Sequence, residues 1–236
     1  MIAGFVRQGS RIADVGTDHG YIPVYLAQTG RIASALAMDV RSGPLERAQA
    51  HVREYEERER ARRQDVWAVP IHLRLSDGLK ELKPGEADTV IIAGMGGELI
   101  IKILDEGRHV WDSVKQYVLS PQSDLDKVRR YLAAHGFAIE DEAMVKDEGK
   151  YYTVMSVKRG FMEYESQAHY LYGKILIDKK DVILREYLGR EMLRIEKILV
   201  SLQEKDGITD TETRAEARIS RQKELSWIKE AQDEMQ

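Results

Sequence analysis

The chain has 236 residues, of which 43% are hydrophobic and 32% charged, with a formal net charge of -4 and a pI near 5.9. That is enough for one large domain, or one medium domain with an appendage, around a sizeable core. The lack of cysteine excludes a disulfide framework, a cysteine metal site and a thiol nucleophile. Slight acidity argues against coating nucleic acid by global charge, although a local basic patch can still hold a structured RNA. No apolar run reaches the roughly 18 residues of a membrane span, and the N-terminus lacks the pattern of a leader. The expectation is a cytoplasmic protein with neither a membrane nor a metal partner.

In chain order, Ile2, Phe5 and Val6 suit the tail of a short helix, and Ser10 to Val15 reads as a buried strand. A turn follows, Asp14-Val15-Gly16-Thr17-Asp18-His19-Gly20, and a helix starts near Gly20 and stops at Thr29-Gly30. Ile32 to Val40 is a second strand. Pro44, after a Ser42 cap, opens a helix that runs into a charged stretch through Arg63. Ile71 to Leu75 is a third strand and Ala87 to Ala93 a fourth, whose unbroken apolar run predicts a strand covered on both faces of a parallel sheet. Tyr117 to Leu119 is a fifth, and Asp124 caps a helix through Leu132. Phe137 to Val145 and Tyr151 to Val157 form an antiparallel edge hairpin around Asp147-Glu148-Gly149. Beyond about Ser166 only helix remains. A stripe from Val182 to Leu202, a break at Asp206-Gly207 and a second charged helical stretch predict an antiparallel pair. The fold class is therefore α/β, a Rossmann-like, mostly parallel sheet with a helical appendage; the domains are 1–160 and 161–236.

In a doubly wound sheet the ligand sits beyond the carboxyl ends of the strands. Asp14, Gly16 and Asp18, then Asp39, then Asp77 and Gly78, then Ala93, Gly94, Met95 and Gly96 all fall at such ends. A dinucleotide site needs bare N–H donors for pyrophosphate, whereas the first turn here is acidic. Acids suit a zwitterionic nucleoside without phosphate, and S-adenosylmethionine is one. Asp39 is then the residue for the ribose hydroxyls, Asp77 for the adenine amino group, and the backbone at Gly16 for the methionine portion.

The stretches Asp14 to Pro23, Ser76-Asp77-Gly78-Leu79 and Ile92-Ala93-Gly94-Met95-Gly96-Gly97-Glu98-Leu99-Ile100 resemble the bacterial tRNA (adenine-22)-N1-methyltransferases over most of the chain. The resemblance implies a class I methyltransferase fold with a C-terminal helical coiled coil. It also implies S-adenosylmethionine as donor and N1 of an adenine in the D-loop region of tRNA as acceptor. The chain departs from the family pattern in a shortened N-terminal helical segment and a longer arginine-rich stretch from Arg58 to Trp67. A third departure is Ser120-Pro121-Gln122 where the family has Gln-Pro-Asn.

Adenine N1 carries an in-plane lone pair, so catalysis is expected to be mainly orientation in a dry pocket. The target base must first be unpaired or flipped. Asp18, His19, Gln122 or the backbone near Met95 to Gly97 are the candidates for its N6 and N1 edge, with Asp18 also a candidate acceptor for a product proton. Tyr21, Pro121, Arg129 and Arg130 are candidates for substrate contact; those for phosphate are Arg58, Arg60, Arg62, Arg63, Lys127, Arg129, Arg130, Lys146, Lys150, Lys158 and Arg159, with Lys179, Lys180, Arg185, Arg190 and Arg194 on the helical appendage. Two other readings share the fold: a methyltransferase for another RNA, a small molecule or a protein, and a non-catalytic partner-binding module. A monomer is expected.

Overall fold

The computed structural model describes residues 1–62, 68–204 and 211–236. Helix α1 (Ile2–Phe5) leads into strand β1 (Ser10–Val15), helix α2 (Tyr21–Gln28), strand β2 (Ile32–Asp39) and helix α3 (Ser42–Arg62). Then come β3 (Ile71–Leu75), β4 (Thr89–Met95), α4 (Gly97–Glu106), β5 (Gln116–Pro121) and α5 (Leu125–Ala134). The edge hairpin is β6 (Phe137–Asp147) with β7 (Lys150–Arg159). The helical region holds α6 (Lys174–Asp178), α7 (Val182–Glu204) and α8 (Thr211–Glu234).

The strands form one sheet in the order β3-β2-β1-β4-β5-β7-β6. Strands β1 to β5 pair in parallel, and β7 joins β5 antiparallel through Tyr117–Val157 and Leu119–Met155. The order reverses at β1, so β2 and β4 flank it and a crevice opens beyond its carboxyl end. As the apolar run of β4 predicts, Val90, Ile91 and Ile92 are buried.

Several boundaries differ from the sequence expectation, each for a local reason. Strand β4 continues past Ala93 to Met95 because its pairing with β5 skips Gly94 and resumes at Met95–Pro121, a bulge that a glycine accommodates. β5 reaches Pro121 for the same reason, and gains Gln116 and Ser120 through regular pairing with Thr89 and Ala93. Asp124 stands at the N-cap of α5, yet its side chain makes no capping bond; its carboxylate instead accepts the Ser123 hydroxyl at 2.6 Å and pairs with Lys127 at 3.0 Å. Ser42 lies in the first turn of α3. The charged part of α3 is helical through Arg62, with Ala48, Val52 and Tyr55 on its buried face.

The chain divides into two compact units, Met1–Asp141 with Thr153–Met162, and Glu142–Tyr152 with Glu163–Gln236. The tip of the hairpin thus counts with the helices. In that second unit Leu184, Leu188 and Ile195 of α7 pack with Ile228, Ala231 and Met235, while Val182 and Leu193 of the expected stripe stay exposed. Arg185 donates to the Met235 carbonyl and Arg194 pairs with Glu224, so α7 and α8 run antiparallel. The expected break at Asp206-Gly207 lies outside the described residues. Among the described residues no helix is long and apolar enough to cross a membrane, and no cluster of three or more His, Asp or Glu is arranged for a metal.

Candidate active site

The sheet registers put the predicted acids and glycines at one edge. Val15 pairs with Met38 and Ile92, so Gly16, Asp39 and Ala93 follow at the same level, and Ala93 pairs with Ser120. The N–H groups of Gly16 and Thr17 both donate to the Met38 carbonyl, at 2.8 and 3.0 Å, which folds the turn over the end of β2. Gly16 has φ of 73°, and a Cβ there would lie 2.1 Å from Met95 Cε. Only a bare α-carbon lets the Met95 side chain cross it. The turn after β1 and the turn after β4, singled out separately in the sequence, are therefore in contact.

Asp14 is buried, and burial raises its pKa from 3.8 to about 6; the neighbouring charge of Asp39 adds to the rise and Thr17 opposes it. A buried carboxylate with a raised pKa is a group that a cationic ligand would stabilise in its charged form. Asp39 is also buried, and its Oδ1 accepts the Arg41 N–H at 3.0 Å, which fixes the carboxylate at the strand end.

Beside Asp39 lies a cavity of about 600 Å³ lined by Val40, Arg74, Leu75, Ser76, Asp77, Glu81 and Lys83. Val40 and Leu75 are 59% and 58% exposed, so two apolar side chains that a core would bury face this space. Arg74 is already held by Glu86, at 2.6 and 2.9 Å, and by the Glu81 carbonyl. Asp77 is half exposed and ion-paired with Lys80, which holds its carboxyl below the usual range; Lys80 also reaches Glu106 at 3.2 Å. Ser76 Oγ donates to the Gly78 carbonyl at 2.8 Å and closes the turn. Apolar faces with acid acceptors suit a ribose and a planar base better than a pyrophosphate.

The turn from Gly94 to Gly97 is clamped by the chain after β5. Gln122 N–H donates to the Met95 carbonyl at 2.9 Å and Gly97 N–H to the Ser123 carbonyl at 3.1 Å. A Cβ on Gly97 would stand 2.5 Å from the Ser123 carbonyl oxygen and 2.9 Å from that of Asp124. The Gln122 amide lies over Gly94, with Nε2 3.9 Å from where a Cβ would project. Gln122 is exposed, whereas Pro121 is buried at the end of β5. A substrate contact by the Pro121 ring does not fit that burial.

Asp18 takes a left-handed conformation, φ 48°. Its two oxygens accept His19 Nδ1 and Arg47 Nη2, each at 2.8 Å. Arg47, then His19, hold its carboxyl below the usual range. Its carboxylate is tied to His19 and Arg47, contacts that suit an anchor for His19 as well as the product-proton acceptor expected from the sequence. Arg47 and His51, one helical turn apart on α3, were missed by the sequence reading; their i,i+4 spacing opposite the Asp18-His19 turn was the available signal.

The basic candidates separate. Arg129 is fully buried, which removes it as a contact to a large substrate, while Arg130 is exposed. Arg58 is paired with Glu54 and Lys127 with both Glu98 and Asp124. The side chain of Arg62 and all of Arg63 lie outside the described residues.

The strand order, the acid-lined edge and the glycine turn clamped beside it define a class I, Rossmann-like methyltransferase. Residues 1–155 match the family model of the methyltransferase domain. Streptococcus pneumoniae Sp1610 is 30% identical over 98% of this chain and 96% of its own, with a TM-score of 0.84; a second structure of it holds S-adenosyl-L-methionine and gives 0.79. The Bacillus subtilis tRNA (adenine(22)-N(1))-methyltransferase is 28% identical over 202 residues, 84% of this chain and 81% of the relative. The crystal structure of the B. subtilis M1A22 tRNA methyltransferase TrmK has a TM-score of 0.79 at 26% identity, covering 98% of this chain and 95% of that one. The chain belongs to the methyltransferase-domain family, in the group of bacterial tRNA (adenine-22)-N1-methyltransferases.

Proposed function

We propose that this protein transfers a methyl group from S-adenosylmethionine to N1 of adenine 22 in tRNA. The observation that carries the reading is the alignment of four parallel strand ends at one edge of the sheet, with acids and bare glycines that suit a phosphate-free, cationic nucleoside, in a chain related along most of its length to enzymes of that activity. When bound, the donor supplies an electrophilic methyl whose bond to sulfur breaks as the bond to N1 forms.

The residues divide the work as follows. Asp39 takes the ribose hydroxyls, and Val40, Leu75 and Asp77 border the adenine. Asp14 balances the charge of the methionine portion against the turn at Gly16. Gly94 to Gln122 forms the wall toward the acceptor, where the Gln122 amide, exposed over Gly94, accepts from the N6 amino group of an extruded adenine through its oxygen and leaves the N1 lone pair free. Asp18 and Arg47 hold His19 at the rim. No strong base is needed, since N1 attacks through its own lone pair and the product can release its N6 proton to water.

The test is incubation with unmodified tRNA and labelled donor, followed by nucleoside mapping. One methyl on N1 of adenine 22 is expected; a methyl elsewhere, or none, overturns the reading. Asp39→Ala is expected to weaken donor binding about tenfold or more by calorimetry, because a charge-assisted bond contributes about 1.5–3 kcal/mol. Unchanged donor affinity would remove Asp39 from the ribose site.

A further inference from the structure

Where the turn after β1 faces α3 there is a group of three rings, His19, Tyr21 and His51, whose faces the reading above leaves without a role. Tyr21 opens α2 and is 65% exposed, an unusual setting for a large aromatic side chain. His19 lies 5.3 Å from it, centroid to centroid, with the ring planes 8° apart, and His51 lies 5.0 Å away at 26°. The two histidines are 6.0 Å from each other. If they sandwiched Tyr21, two ring spacings would separate them by about 7 Å. They therefore do not cover both faces of Tyr21, and the phenol ring keeps an open face toward solvent.

The rings are also fixed from behind. His51 Nδ1 lies 2.8 Å from the His19 carbonyl, and since a carbonyl only accepts, that nitrogen carries the proton. His19 is held by Asp18, and Asp18 by Arg47. The chain of contacts returns to α3, where Arg47 and His51 sit one turn apart. A rigid aromatic surface needs little ordering on binding, and every nucleobase has a π-face to lay on it.

We propose that Tyr21, backed by His51, is a stacking shelf for an unpaired nucleobase of the RNA substrate, and that His51 is a positioning residue for it. The proposal rests on the tRNA reading above. The base is either the target adenine or an adjacent nucleotide exposed when the target is extruded. Both offer the same planar ring.

Steady-state kinetics with unmodified tRNA, together with 2-aminopurine placed either at position 22 or at a neighbouring position, test it. Tyr21→Ala should raise KM for tRNA about tenfold, the range for one lost base–aromatic stack, with donor affinity within about twofold of wild type. Tyr21→Phe should behave as wild type, since the face and not the hydroxyl acts. His51→Ala should raise KM about threefold, and His51→Phe should restore it. Wild-type protein should quench the probe at whichever position stacks, and Tyr21→Ala should not. An unchanged KM in Tyr21→Ala, equal losses in the Phe and Ala variants, or no quenching at either position overturns the shelf. Methylation of a tRNA position other than adenine 22 by the wild type overturns the substrate assignment instead, and the quenching arm still reads the shelf.

Discussion

Asp14→Asn is expected to make the protein more stable at pH 8 and at the same time a poorer binder of its donor. Burial raises the Asp14 pKa from 3.8 to about 6, so between those values the folded chain holds a proton that the unfolded chain has released. Stability therefore falls as pH rises through that window, and the charged form costs on the order of 3 kcal/mol above it. Asparagine removes the charge at nearly the same size. The gain from Asp14→Asn should be near zero at about pH 4, grow through pH 6 and level off, as read by denaturant unfolding of both proteins across that range. Donor affinity should move the other way. A bound cation favours the Asp14 carboxylate, so wild-type affinity should weaken as pH drops through about 6, and Asp14→Asn should lose about tenfold at pH 8. Equal donor affinity in the two proteins at pH 8 would place the donor's positive charge away from Asp14.

Gly97→Ala is the second large effect. The added Cβ would meet two backbone oxygens, at 2.5 and 2.9 Å, and backbone cannot swing aside as the end of a side chain can. Either the start of α4 or the Ser123–Asp124 segment must move. Overpacking of this kind costs about 1–3 kcal/mol, a fall in Tm of roughly 2–10 °C for a chain of this size. The displaced turn carries Gly94 and Met95 and is tied to Gln122 through the Met95 carbonyl, so kcat should drop about tenfold or more, given how steeply rates depend on placement. Gly16→Ala is the informative contrast. There the overlapping atom is the terminal methyl of Met95, which can rotate away, so the remaining cost is the positive φ. A fully active, equally stable Gly97→Ala protein would mean that the clamp between the two turns is not needed.

These two sites show how far the sequence reads. The alternating elements, the parallel sheet and the edge hairpin follow from periodicity, because strand and helix patterns are local and repeat within a few residues. The acids and glycines at the strand ends were legible for the same reason: in a parallel sheet the chain direction alone says which end of each strand faces the ligand. Asp14, Gly16, Asp39 and Ala93 needed no further information to be grouped.

What the tertiary structure decided is what depends on contacts between distant segments. Met95 crosses Gly16, Ser123 presses on Gly97, and Arg47 reaches Asp18, and no local pattern specifies any of these pairs. Burial was equally out of reach for Arg129, an arginine whose neighbours on α5 look like a solvated face but which is fully enclosed. The surroundings of Asp18 were out of reach for that reason too: its carboxylate is set by Arg47 and His19 in space. The chain's sequence by itself determined the order of strands and helices and the chemistry gathered at one edge of the sheet. Only packing in three dimensions decided which of those groups touch, which are buried, and hence which stay charged and available.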